Sequence, residues 1–247
     1  MHPPDSPRST ALIGTAGWSI PAGSAAQLPA EGSQLVRYAS RLGCAEINSS
    51  FYRAHRPQTY EKWAASTPPG FRFAVKLPRQ ISHEVRLADA AGRLDALVAE
   101  AGGLGGKWAV LLVQLPPSLA FEAVLAGRFF EQVRARFGGA VVCEPRHASW
   151  FTPAAEQLLI GCGVARAAVD PARWPGAATP GGCTRRLRYH RWHGSPRVYW
   201  STYDDAWLDA QAAALRALPG GAACWCIFDN TASGGALQNA LQLQARL

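Results

Sequence analysis

Short apolar runs alternate with stretches of helical spacing from residue 11 onward. Residues 12–18, 44–51, 71–77, 108–115, 140–144, 164–169, 187–193 and 222–228 read as strands. Between them, 33–42 sets Leu35, Val36, Ala39 and Leu42 on one helical face, and 58–65, 87–101, 122–137, 153–160, 205–218 and 235–247 also suit helices. Thr152 stands where a helix N-cap belongs, while Gly102-Gly103, Gly138-Gly139 and Pro116-Pro117 end elements.

Eight continuous apolar strands with helices between most of them predict parallel strands covered by helices. The expected fold is a single-domain α/β structure, a (β/α)8 TIM-like barrel, with its site at the C-terminal strand ends. A doubly wound open sheet is the alternative. Residues 171–184 are rich in Pro and Gly where a helix should follow the sixth strand, and are expected to form a long loop over the mouth. Residues 1–10 are expected to be a flexible N-terminal segment, and 11–247 one barrel domain.

Composition adds bounds. The 247 residues are 48% hydrophobic and 17% charged, which argues against a disordered or coiled-coil chain. The net charge is +8, carried by three lysines and 22 arginines. An Arg-rich chain suggests an anionic partner, although arginines scattered over the surface give the same total. The start carries no signal-peptide pattern and no apolar run is long enough to span a bilayer, so a cytoplasmic protein without membrane contact is expected. The six cysteines lack a C-x-x-C pair and read as small buried residues, with Cys224 and Cys226 on one strand face.

Strand ends otherwise apolar carry polar groups. Glu46 and Asn48 share a face on the second strand; Lys76 ends the third and Gln114 the fourth. Glu144 and Arg146 share a face after the fifth, Asp170 ends the sixth, and Arg191 and His193 share a face on the seventh. Asn230 follows the eighth with the parity of Cys224, Cys226 and Phe228, which turns Asp229 away. Glu46 and Glu144 form a carboxylate pair suited to acid/base work, and Lys76, Arg146 and Arg191 suit an anion. His83, His147 and His193 follow strands three, five and seven as acid/base candidates, and their spacing matches no compact metal motif, so no metal or cofactor is expected. Trp18, Phe51, Tyr52, Trp150 and Tyr203 offer stacking surfaces near the mouth, whereas Trp192 has the parity of the outer layer. The turns at 193–195 and 230–234 are weaker candidates for an anion at a helix start.

These residues also resemble a known family. Gly14-Thr15-Ala16-Gly17-Trp18, Glu46-Ile47-Asn48-Ser49-Ser50-Phe51-Tyr52, Phe73-Ala74-Val75-Lys76-Leu77-Pro78 with Ile81-Ser82-His83, and Val113-Gln114-Leu115-Pro116-Pro117 are similar to motifs of the domain-of-unknown-function 72 (YecE-like) family. So are Cys143-Glu144-Pro145-Arg146-His147 with Ser149-Trp150, Arg191-Trp192-His193-Gly194, and Phe228-Asp229-Asn230 with Asn239-Ala240. The resemblance implies a (β/α) barrel and a pocket at these motifs, without naming a reaction. The chain departs from the family pattern in the Pro/Ala/Gly-rich stretch 20–29, in Ser82 for threonine, and in Asp229 where a second Asn is common.

The expected function is a hydrolase or lyase for a small anionic, phosphorylated substrate. Glu144, Glu46 and His193 are its catalytic candidates. Trp18, Asn48, Tyr52, Lys76, His83, Gln114, Arg146, His147, Trp150, Arg191, Tyr203 and Asn230 are its substrate-binding candidates. A nucleic-acid binder or metal-dependent repair-nuclease-like protein, and a non-catalytic ligand-binding barrel, are the alternatives. The sequence does not fix an oligomeric state.

Overall fold

One sheet of ten strand segments forms the centre of the computed structural model, which describes residues 11–219 and 221–247. In chain order the strands are β1 (Ala11–Ala16), β2 (Cys44–Ile47), β3 (Arg72–Lys76), β4 (Trp108–Gln114), β5 (Ala140–Glu144), β6 (Val164–Arg166), β7 (Ala168–Asp170), β8 (Gly181–Gly182), β9 (Leu187–Trp192) and β10 (Ala223–Phe228). The order across the sheet is β7-β9-β10-β1-β2-β3-β4-β5-β6-β8, and every pairing is parallel except β6 with β8. β6 and β7 are two halves of one run interrupted at Ala167. The first half pairs with β5 and the second with β9, so this run brings the two ends of the sheet together. The result is a nearly closed barrel with eight strand positions, as the alternation of apolar runs predicts.

The helices α1 (Gln34–Ala39), α2 (Ser49–Tyr52), α3 (Pro57–Ala65), α4 (Ala91–Ala101), α5 (Ala123–Arg134), α6 (Pro153–Gly161), α7 (Asp205–Arg216) and α8 (Gly235–Gln244) connect the strands. Several starts are fixed by side chains that accept otherwise orphaned amides. Ser33 accepts from Val36, Glu122 from Val124 and Leu125, Thr152 from Ala155, and Asp204 from Trp207. Two boundaries differ from the sequence pattern. The second strand stops at Ile47, where the Ser50 hydroxyl ties the Ile47 and Lys76 carbonyls and α2 begins at once. The fourth helix starts at Ala91 and not at 87, because Arg86, Leu87 and Asp89 all adopt positive φ.

Residues 171–184 do not form a long loop over the mouth alone. Their first part lines the mouth; the rest runs back along β6 as a short turn (Pro175–Ala178) and β8, filling the place of a covering helix.

The core has two layers. Cys44, Ala74, Val110, Leu112, Val142, Ala165, Ala167, Leu187, Tyr189, Trp225 and Ile227 fill the barrel interior. Small residues from β2, β3 and β6 leave room for Tyr189 and Trp225, whose rings stack at 6.0 Å. The larger second layer lies between sheet and helices and includes Phe73, Cys143, Trp192, Cys224, Cys226 and Phe228. Cys224 and Cys226 therefore share a face, as expected, but it is the outer one. All six cysteines are free.

Candidate active site at the barrel mouth

The interior parity continues past the apolar layers into charge. Above Cys44 stands Glu46, above Ala74 Lys76, above Leu112 Gln114, above Val142 Glu144, above Tyr189 Arg191 and His193, and above Ile227 Asp229. This corrects the eighth strand. Trp225 and Ile227 point inward, so Asp229 joins the mouth and Asn230 turns out. Asn230 Nδ2 donates to the Ser201 carbonyl and to Asn239 Oδ1 on α8.

Arg191 organises the cluster. Its side chain is wholly buried and donates from Nε and Nη2 to the two Glu46 oxygens (3.0 and 2.7 Å), from Nη1 to Glu144 Oε2 (2.5 Å) and from Nη2 to Asp229 Oδ2 (2.8 Å). A guanidinium presents its donors in a rigid fork, which suits three carboxylates approaching in its plane. Glu46 also accepts from the Tyr189 hydroxyl at 3.0 Å and is fully buried. Glu46 thus lies fully buried beneath Arg191, and the Arg191 fork is occupied by the protein carboxylates Glu46, Glu144 and Asp229.

Glu144 and Asp229 lie nearer the opening. Glu144 Oε1 accepts from Gln114 Nε2 and Arg146 Nε, both at 3.0 Å. Burial opposes its charge, but Arg191, Arg146, His193 and Lys76 outweigh burial and hold Glu144 well below the usual carboxylate range. Asp229 is lowered in the same way: burial opposes its charge, while Arg191 and the hydrogen-bonded His193 favour it. Asp229 Oδ2 lies 3.0 Å from His193 Nδ1, and His193 Nε2 lies 3.7 Å from Glu144 Oε1. His193, Glu144 and Arg146 line a cavity of about 240 Å³ with Pro117, Val169, Trp174 and Tyr199. That volume is at the small end for ligand sites, so it suits a small molecule. The buried Trp174 Nε1 has no protein partner.

Arg146 keeps a side chain about one-third exposed, with Nη2 on the Tyr199 hydroxyl at 3.3 Å. Lys76 is nearly buried, 4.4 Å over the Phe51 ring, and its ammonium is pushed down to about 8 by burial and then by Arg191. His83 pairs with the Ser82 hydroxyl and packs edge-on against Phe51; burial, then Lys76 and Arg146, lowers it. Asn48 keeps a buried Oδ1 without a partner.

The remaining candidates lie outside the charged cluster. Trp150 is sealed in the outer layer, with Nε1 on the Leu119 carbonyl. The Tyr203 hydroxyl bonds Asp170 and the Gly194 amide, with its ring stacked on Trp207 at 3.8 Å. His147 caps the turn at 148–151 through Ser149. Trp18 packs edge-on against Trp63 and Phe73, outside the barrel. Tyr52 projects into solvent beside Phe51. Among the described residues no three His, Cys, Asp or Glu side chains are placed to share a metal ion. Among the described residues no helix is long and apolar enough to cross a membrane.

The fold and site define an α/β barrel whose mouth carries a buried ion cluster under a small pocket. The family described as "Protein of unknown function DUF72" matches residues 12–247, and the chain belongs to it. It is 24% identical over 139 residues to the UPF0759 protein YecE of Escherichia coli strain K12, covering 56% of this chain and 50% of that protein; the same values hold for YecE of E. coli O157:H7. The chain thus matches these curated relatives over about half their length. A solved DUF72 family protein of Enterococcus faecalis V583 superposes with a TM-score of 0.78 at 21% identity, covering 96% of this chain and 95% of that one. A DUF72 family protein of Thermotoga maritima MSB8 gives 0.75 at 20% identity, over 96% and 98%. At these identities the structures support the barrel fold.

Proposed function

We propose that the mouth is the active site of a hydrolase or lyase for a small anionic substrate, with His193 as the group that moves the proton. The carrying observation is the line Asp229–His193–Glu144. Asp229 fixes one ring nitrogen, and the other lies beside Glu144 at the cavity wall. A base oriented by a buried carboxylate is a recurrent arrangement for proton transfer. Glu144 stays ionised in this reading, so it supports the charge that develops on His193 during proton transfer and does not itself donate a proton. Arg146, with its partly exposed fork, receives the anion. Gln114 and Arg191 hold Glu144 in place.

Nucleic acid is the weaker reading. Arg136 and Arg246 pair with surface aspartates, and the partly exposed cation of the pocket lies in a cavity sized for a small ligand. The test is stabilisation by inorganic phosphate and sulfate, followed by a screen of small phosphate esters and carboxylates. Anion stabilisation should saturate and disappear in Arg146→Met. His193→Gln should retain the anion while losing turnover of any substrate found. Stabilisation indifferent to Arg146 would overturn the reading.

A further inference from the structure

Lys76 is the cation of the mouth that no carboxylate meets at contact distance. Among the described residues no Asp or Glu oxygen lies within 4.0 Å of its Nζ, and Nζ makes no hydrogen bond. Its recorded contact is the Phe51 face. The other two lysines differ. Lys107 is satisfied by the carbonyls of Ala64 and Thr67, both at 2.6 Å, and Lys62 is exposed on α3. An ammonium largely withdrawn from water and without a protein acceptor is costly, and shedding the proton relieves that cost. The product is a neutral amine, which is a nucleophile toward carbonyl carbon. The amine is not sealed, because the residue keeps 6% of its surface exposed and its partnerless Nζ is not among the fully buried polar atoms.

We propose that Lys76 forms an imine with a small carbonyl compound carrying a carboxylate, of the 2-oxo-acid type. The carboxylate part rests on the reading above that Arg146 receives an anion; the amine chemistry stands on Lys76 itself. The neutral Lys76 nitrogen bonds to the carbonyl carbon, and the carbonyl electron pair moves to oxygen, which takes a proton. Nitrogen then gives up a proton, which balances the one taken by oxygen, the C–O bond breaks, and the oxygen leaves as water with a second proton from an acid, assigned to His193. The result is a protonated imine and one water, with no oxidant or reductant consumed. A protonated imine draws electrons from the neighbouring carbon, which is the chemistry of a lyase; Lys76 and His193 both act on Glu144 and Asp229, which places them at the same mouth. The shift of the ammonium to about 8 leaves an appreciable neutral fraction near neutral pH.

The test is trapping with borohydride. The native chain is incubated with pyruvate and sodium borohydride, digested, and mapped by mass spectrometry. The proposal expects a reduced pyruvate adduct on Lys76 in preference to exposed Lys62, saturable with pyruvate, rising with pH through about 8 and absent in Lys76→Arg. Labelling that follows exposure, with Lys62 modified and Lys76 spared, would overturn it. Because the trapping uses the native chain, a poorly folding variant does not obscure the result. Phosphate stabilisation lost in Arg146→Met, together with no Lys76 adduct, sinks the imine and leaves the anion pocket standing. A Lys76 adduct that forms equally in Arg146→Met supports the imine and removes its carboxylate subsite.

Discussion

Arg191 meets Glu46 side-on, Nε to Oε2 at 3.0 Å and Nη2 to Oε1 at 2.7 Å, with both side chains fully buried. Removing one member strands the other's charge inside the barrel. Arg191→Met is therefore expected to cost about 3–5 kcal/mol, measured by urea unfolding. Arg191→Lys should not rescue it, since one ammonium cannot reach three carboxylates in a plane. A loss below about 1 kcal/mol, the scale of a surface pair, would contradict the cluster's buried character.

On the alkaline side, Lys76 sets a slope. Its folded value is lowered from 10.5 to about 8, so between these the unfolded chain binds a proton that the folded chain has released. Stability from this group therefore rises with pH across that window. Comparing the native chain with Lys76→Met from pH 7 to 10 should show the rise in the former and a flatter profile in the latter.

On the acid side the slope has the same sign, because these folded values are lowered too. Glu144 and Asp229 are lowered in the fold, so their contribution is complete above their unfolded values of about 4. It is lost as the pH falls through their folded values. Glu144→Gln should be less stable at neutral pH and lose less stability on acidification.

His83 reports on Lys76. Burial is the main cause of its lowering and remains after mutation, while the Lys76 charge comes second. In Lys76→Met the His83 titration, followed by NMR, should move upward; no movement would separate the two groups.

Asn239 holds the segment leading from the mouth to α7. It accepts from the Tyr203 amide and donates to the Tyr203 carbonyl, each at 3.0 Å, and accepts from Asn230 at 3.0 Å. Asn239→Ala leaves buried groups unpaired and should cost about 1–3 kcal/mol. Hydrogen exchange should rise first in residues 195–204.

The sequence was legible where hydrophobic period and punctuation agree. The strand at 140–144 and the Thr152 cap are of that kind. Strand parity was legible where one alternate set carries charge, as at Glu46 and Glu144. It was not legible at β10, because barrel strands are apolar on both faces and Cys224, Trp225, Cys226, Ile227 and Phe228 give no alternation. Asp229 was misplaced for that reason. The useful signal there was size: a Trp fits a barrel interior whose other strands supply Ala and Cys. Tyr199 was missed because its place beside Arg146 depends on a positive φ at a non-glycine residue. Whether a charged group is open or sealed, the difference between Arg146 and Arg191, depends on contacts far apart in the chain.

The break at Ala167 gives the barrel a beginning and an end. Backbone ladders bind β6 to the side bearing Glu144, and β7 to the side bearing Arg191 and His193. The Arg191–Glu144 contact crosses that join. The ion cluster thus acts as a staple on the ring's weakest circumference, and the same side chains that shape the pocket keep the cylinder shut.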